Sequence, residues 1–63
     1  MKTRHDKKDR YVLQYYENGK WVTEETVSMA GAAQKVRSRA KKYGVSYRAF
    51  NTSKNAVYCE ARP

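Results

Sequence analysis

Cysteine, histidine and proline each occur once in this chain of 63 residues, and six acidic residues stand against 14 lysines and arginines. A lone Cys59 rules out an internal disulfide and a cysteine-rich metal knot, and fits a reducing compartment. The single histidine, His5, lies near the N-terminus among charged residues, where the sequence offers nothing to hold it. Apolar runs never exceed a few residues, so no segment can span a membrane. Met1-Lys2-Thr3-Arg4-His5-Asp6 has the charge of an export signal's first part but no apolar stretch after it, so a cytoplasmic location is expected. Asn51-Thr52-Ser53 fits the glycosylation pattern, which carries no meaning without export.

What remains is small and strongly basic. Sixty-three residues make one domain near the lower limit for folding without a staple. Hydrophobic residues make up 40% and charged residues 32%, enough for one helix on one small sheet with a modest core. A deep pocket is not expected from so little chain. The sequence is therefore read as having no cofactor, no metal site and no small-molecule substrate.

Residues 1–9 carry alternating charges and no apolar residue after Met1, and are expected to form a flexible basic arm. Residues 10–63 form a single α+β domain. Tyr11-Val12-Leu13-Gln14-Tyr15-Tyr16 and Trp21-Val22-Thr23-Glu24-Glu25-Thr26-Val27 are rich in strand formers. Asn18-Gly19 between them is a strong two-residue turn signal, so 10–27 reads as a hairpin. Its register sets Glu17 against Lys20, Tyr16 against Trp21, Tyr15 against Val22 and Leu13 against Glu24. Residues 28–43 read as a helix, with Ser28 as its N-terminal cap and Gly44 as its left-handed stop. Met29, Ala32, Ala33, Val36, Ala40 and Tyr43 give it one apolar stripe. Residues 45–62 read as a second hairpin turning at Ser53-Lys54-Asn55. The order β-β-α-β-β implies an antiparallel sheet with the helix packed on one face.

Catalysis needs convergent groups, and the sequence supplies none. His5 lies in the arm, and Cys59 reads as a small core residue on a strand. Glu24 and Glu25 are neighbours on a strand and are expected to point to opposite faces. No phosphate loop, nucleophile elbow or metal-ligand spacing occurs. A non-enzymatic binding protein is expected.

The charge is distributed unevenly. The formal net charge is +8, with residues 1–10 at +3, residues 11–27 at −2, the helix region at +5 and the last hairpin at +2. The helix holds five cations and no acid. At roughly 100° per residue, Lys35, Arg39 and Lys42 fall on one flank of the apolar stripe, and Arg37 and Lys41 on the other. Cations at a helix C-terminus favour the dipole, yet a merely solvated face usually mixes signs. These five, with Arg4, Lys7 and Lys8 of the arm, are candidates to contact a polyanion.

The first hairpin carries aromatics on both faces, whereas one helix can cover only one. With the Leu13 face as core, Tyr16 and Trp21 lie near solvent, where they can stack nucleobases or anchor a protein interface. The expected partner is nucleic acid, DNA or RNA, bound with limited sequence specificity through the cationic helix face. The alternative is a small phage-type regulator or inhibitor that docks on an acidic surface of a larger host protein. The helix stripe is mostly alanine, too weak in apolar area to enter a membrane.

Overall fold

Tyr11–Glu17 (β1) and Lys20–Val27 (β2) form the first hairpin in the computed structural model, which describes residues 3–63. Met1 and Lys2, the start of the expected arm, lie outside the described residues. Asn18 and Gly19 hold φ of 51° and 79° at the turn, the positive values a tight two-residue hairpin demands. Glu17, Tyr16 and Tyr15 then face Lys20, Trp21 and Val22, as the turn predicts. Helix α1 spans Met29–Tyr43, and Tyr47–Asn51 (β3) and Ala56–Ala61 (β4) form the second hairpin.

The sheet is antiparallel throughout, in the order β2-β1-β3-β4. The fold is the expected α+β arrangement, β-β-α-β-β. Strand β1 lies inside the sheet, paired with β2 on one side and β3 on the other, and its Tyr11, Val12 and Leu13 are all buried. With β1 antiparallel to both neighbours, β2 and β3 run in the same direction. The chain needs a crossover between them, and α1 provides it.

The helix ends follow the sequence closely. Ser28 Oγ accepts from the Gly31 backbone N–H at 3.3 Å, and Gly44, at φ 68°, donates its N–H to the Ala40 carbonyl at 2.9 Å. The core joins Leu13, Tyr47 and Ala49 of the sheet to Ala32, Val36 and Ala40 of the helix, with Tyr15, Val27, Val45, Tyr58, Cys59 and Ala61 around them. The Leu13 face is thus the core face. The apolar stripe is narrower than the periodicity implied, because Ala33 and Tyr43 are exposed and Met29 is half-buried.

Both edge strands carry a bulge. On β2, Leu13 faces Glu25 and Gln14 faces Thr23, so Glu24 is the extra residue. On β4, Ala49 faces Cys59 and Phe50 faces Val57, so Tyr58 is the extra residue. The expected pairing of Leu13 with Glu24 is corrected by one position. A bulge breaks the alternation of side chains, and the consequence for Glu24 and Glu25 is chemical.

Candidate functional site

Because Glu24 is bulged, both glutamates reach the helix side of the sheet, and the expectation that they diverge is overturned. Arg39 pairs with Glu24, and its Nη2 lies 3.1 Å from Glu25 Oε2. Lys35 Nζ stands 3.2 Å from Glu25 Oε1. The Tyr47 hydroxyl donates to Glu24 Oε1 at 2.9 Å, and burial pushes that phenol's pKa up. Two of the helix cations are therefore partnered across the structure by acids of the first hairpin. The expectation that the helix charges have no acidic relief does not hold for Lys35 and Arg39.

The remaining helix cations are differently placed. Arg37, Lys41 and Lys42 are exposed and form no ion pair among the described residues. Lys42 Nζ lies 5.2 Å from the centre of the Tyr43 ring. Arg37 and Lys41 occupy the flank of α1 turned toward β4, opposite the flank that meets Glu24 and Glu25. On the same flank, Lys7 joins Ser28, Met29, Ala30, Ala33 and Tyr58 around an open groove. Helix geometry spreads Ala30 to Lys41 over about 16 Å. Lys7 stands at one end of this flank, with Arg37 and Lys41 toward the other. Arg4 and Lys8 are exposed as well.

His5, Asp6 and Asp9 have defined partners on the domain. The buried Asn51 side chain, fully shielded from solvent, organises His5 and Asp9. Its Oδ1 accepts from the Lys54 backbone N–H at 3.0 Å, which fixes the amide's orientation. Its Nδ2 then meets Asp9 Oδ2 and His5 Nδ1, each at 2.9 Å. An amide nitrogen only donates, so His5 Nδ1 is the acceptor in this contact. The His5 ring packs edge-on against Tyr58 at 5.0 Å, so His5 has the neighbours the sequence did not supply. Asp9 also pairs with Lys54 at 3.7 Å. Donation from Asn51 lowers the Asp9 pKa, against a smaller opposing effect of burial. Burial also leaves Asn51 without an accessible amide, so the glycosylation pattern has no acceptor in the folded domain.

The sheet face away from the helix is built around Arg48. Tyr16 and Trp21 meet there edge to face, with centroids 5.2 Å apart. Tyr16 is 46% exposed and Trp21 half-buried. The Arg48 guanidinium lies 4.3 Å from the Trp21 ring centre and 4.9 Å from that of Phe50. Its Nε donates to Gln14 Oε1 at 2.7 Å, and Gln14 Nε2 donates to Thr23 Oγ1 at 3.2 Å. Sequence reasoning placed Tyr16 and Trp21 here but missed Arg48, Phe50 and Gln14. Their signal was the alternation Tyr47-Arg48-Ala49-Phe50, which sends Arg48 and Phe50 to the outer face once Ala49 is inward.

Cys59 is half-buried beside the core, and burial raises its thiol pKa, the opposite of what a reactive thiol needs. No three histidine, cysteine, aspartate or glutamate side chains converge among the described residues. No helix among them is long and apolar enough to cross a membrane. Comparison of the chain with known protein families, with curated proteins and with solved structures finds no match.

Proposed function

We propose that this protein is a non-enzymatic nucleic-acid-binding module of limited sequence specificity, acting through the β4-side flank of α1. One observation carries the reading. The carboxylates of Glu24 and Glu25 are taken up by Lys35 and Arg39 on one flank, while Arg37 and Lys41 stand without carboxylate partners on the other. Lys7 adds a cation at the N-terminal end of the same flank. In a protein of net charge +8, these cations have no ion-pair partner among the described residues. Such a surface attracts phosphates through counterion release, largely independent of base sequence. Of the residues expected to bind, Arg37, Lys41, Lys7, Lys8 and Arg4 stay in this role, and Lys42 stays as an exposed cation on the other flank of α1. Lys35 and Arg39 leave it, since contact with phosphate would require them to give up the glutamates.

The test is the salt dependence of binding to a labelled duplex, followed by anisotropy. Three to five phosphate contacts predict a slope of roughly −3 to −4.5 in log K against log salt. Arg37→Ala with Lys41→Ala should lower that slope in magnitude by about 2. A flat response, or no binding at low salt, refutes the reading. Capture from lysate of an acidic protein that survives nuclease treatment would instead support docking on a larger host protein. That second reading would draw on the Tyr16, Trp21 and Arg48 surface, since these residue types also occur in protein hot spots.

A further inference from the structure

Arg48 makes a choice that calls for a physical reason. The register of β3 and β4 sets Glu60 directly opposite it, and opposed charges on neighbouring strands normally attract. No Arg48–Glu60 ion pair forms within 4.0 Å among the described residues. The guanidinium instead reaches across β1 and is stacked by Trp21 and Phe50. Gln14 engages its Nε alone. The two Nη groups carry no protein acceptor among the described residues and are not buried without a partner, so they face solvent. The result is a planar cation lying over two aromatic rings, with its Nη edge free of protein acceptors among the described residues and the exposed Tyr16 ring against Trp21. A guanidinium in this state suits a phosphate oxygen pair, and the adjoining ring offers a stacking face to a base.

We propose that this sheet face takes single-stranded nucleic acid, with a backbone phosphate on the Arg48 Nη edge and an unpaired base on Tyr16 beside Trp21. The inference rests on the nucleic-acid reading above and adds the strandedness of the ligand. Charge complementarity selects this occupant, because the patch centres on an unpaired cation in a protein of net charge +8. A duplex keeps its bases stacked inward and cannot use Tyr16. The helix flank and the sheet face lie on opposite sides of the domain, so the two contacts are separable by mutation. The helix flank attracts either form through phosphates, and the sheet face discriminates between them.

The experiment measures affinity for a labelled 12-nucleotide oligo-dT and for a 12-base-pair duplex at one fixed low salt concentration. The wild-type chain, Tyr16→Ala, Arg48→Lys and Arg37→Ala/Lys41→Ala are compared, with folding checked by thermal melting. Arg48→Lys keeps the charge but loses the planar fork. Oligo-dT should quench wild-type Trp21 fluorescence. Tyr16→Ala should weaken oligo-dT binding roughly 5- to 150-fold, the range for one lost base stack, with duplex binding unchanged. Arg48→Lys should act in the same direction, and the helix variant should weaken both ligands. If Arg48→Lys does not fold, Tyr16→Ala decides alone, since Tyr16 lies at the surface. Oligo-dT binding unchanged by Tyr16→Ala overturns this inference and leaves the helix reading standing. Loss of both ligands from the wild type overturns both.

Discussion

The five helix cations should separate into two groups on mutation, and Arg39 is the residue that divides them. Its guanidinium stands between Glu24 and Glu25, which the β2 bulge brings to one face. Arg39→Met keeps the apolar stem and removes the charge, leaving two adjacent carboxylates with only Lys35 nearby. The three side chains are 27%, 29% and 37% exposed, so solvent screens the loss in part. One exposed ion pair is worth about 0.2–1 kcal/mol. Two pairs on one cation, plus repulsion between the stranded glutamates, come to about 1–2 kcal/mol. For a domain of this size that is a fall in melting temperature of roughly 5–15 °C, smaller at high salt because screening weakens the pairs already. Glu24→Gln added to Arg39→Met should recover part of the loss, since the interaction is pairwise. Arg37→Ala/Lys41→Ala, by contrast, should melt at the wild-type temperature or slightly above it. Scanning calorimetry on the four proteins at two salt concentrations reads all of this. An Arg39→Met variant that melts with the wild type, or an Arg37→Ala/Lys41→Ala variant that unfolds, refutes the division.

Two further outcomes follow from the core and the arm. Val36→Asp places an unpaired charge at a site 1% exposed. Its cost should exceed the roughly 3–9 kcal/mol available to a chain of this length, and circular dichroism should show an unfolded chain at 25 °C. Asp9 is stabilised as the carboxylate, so its folded-state pKa lies below the ordinary 3.8. Its contribution is in full force above that ordinary value and disappears as pH falls through the folded-state pKa. Melting temperature should therefore drop on acidification below about pH 4, and less steeply in Asp9→Asn, which keeps an acceptor for Asn51 but does not titrate. An identical acid profile for the two proteins would show that the Asn51 contact contributes nothing.

Much of the fold was legible because local signals agreed with one another. Asn18-Gly19 fixed the first hairpin's register near its turn, and Ser28 and Gly44 fixed the helix ends within a residue. The periodicity of Ala32, Val36 and Ala40 gave the helix its buried stripe, but nothing in it told which face of the first hairpin that stripe would cover. The errors share one cause. A register counted outward from a turn assumes strict alternation, and the bulge at Glu24 inserts one residue that no pattern in Thr23-Glu24-Glu25 announces. Past that point the count is off by one, so Leu13 was set against Glu24 instead of Glu25. The predicted divergence of the two glutamates, and with it the isolation of the helix cations, failed for the same reason. Arg48 was missed for a different reason. Its role depends on β3 lying beside β1, a pairing across more than 30 residues of chain that neither hairpin's own sequence encodes. His5 likewise finds Asn51 only through tertiary contact.

The bulge at Glu24 also sets where the charge of this protein can act. With ideal alternation from the turn only Glu24, opposite Leu13, would reach the helix, and Glu25 would sit on the outer face opposite Val12. That outer carboxylate would compete with any anion for the Arg48 guanidinium. One inserted residue instead brings Glu25 to the helix side, where Lys35 and Arg39 hold it, beside Glu24 on Arg39 and the Tyr47 hydroxyl. The outer face loses an acid and the helix core-side flank gains one. The first hairpin is acidic in sequence, which on its face argues against a polyanion partner. Folded, two of its three carboxylates lie between sheet and helix, and the third, Glu17, faces Lys20 at the hairpin tip. The acidity of the hairpin therefore stabilises the helix on the sheet and is spent internally, while the cations that have no such partner stand on the flank and face where a phosphate backbone can approach.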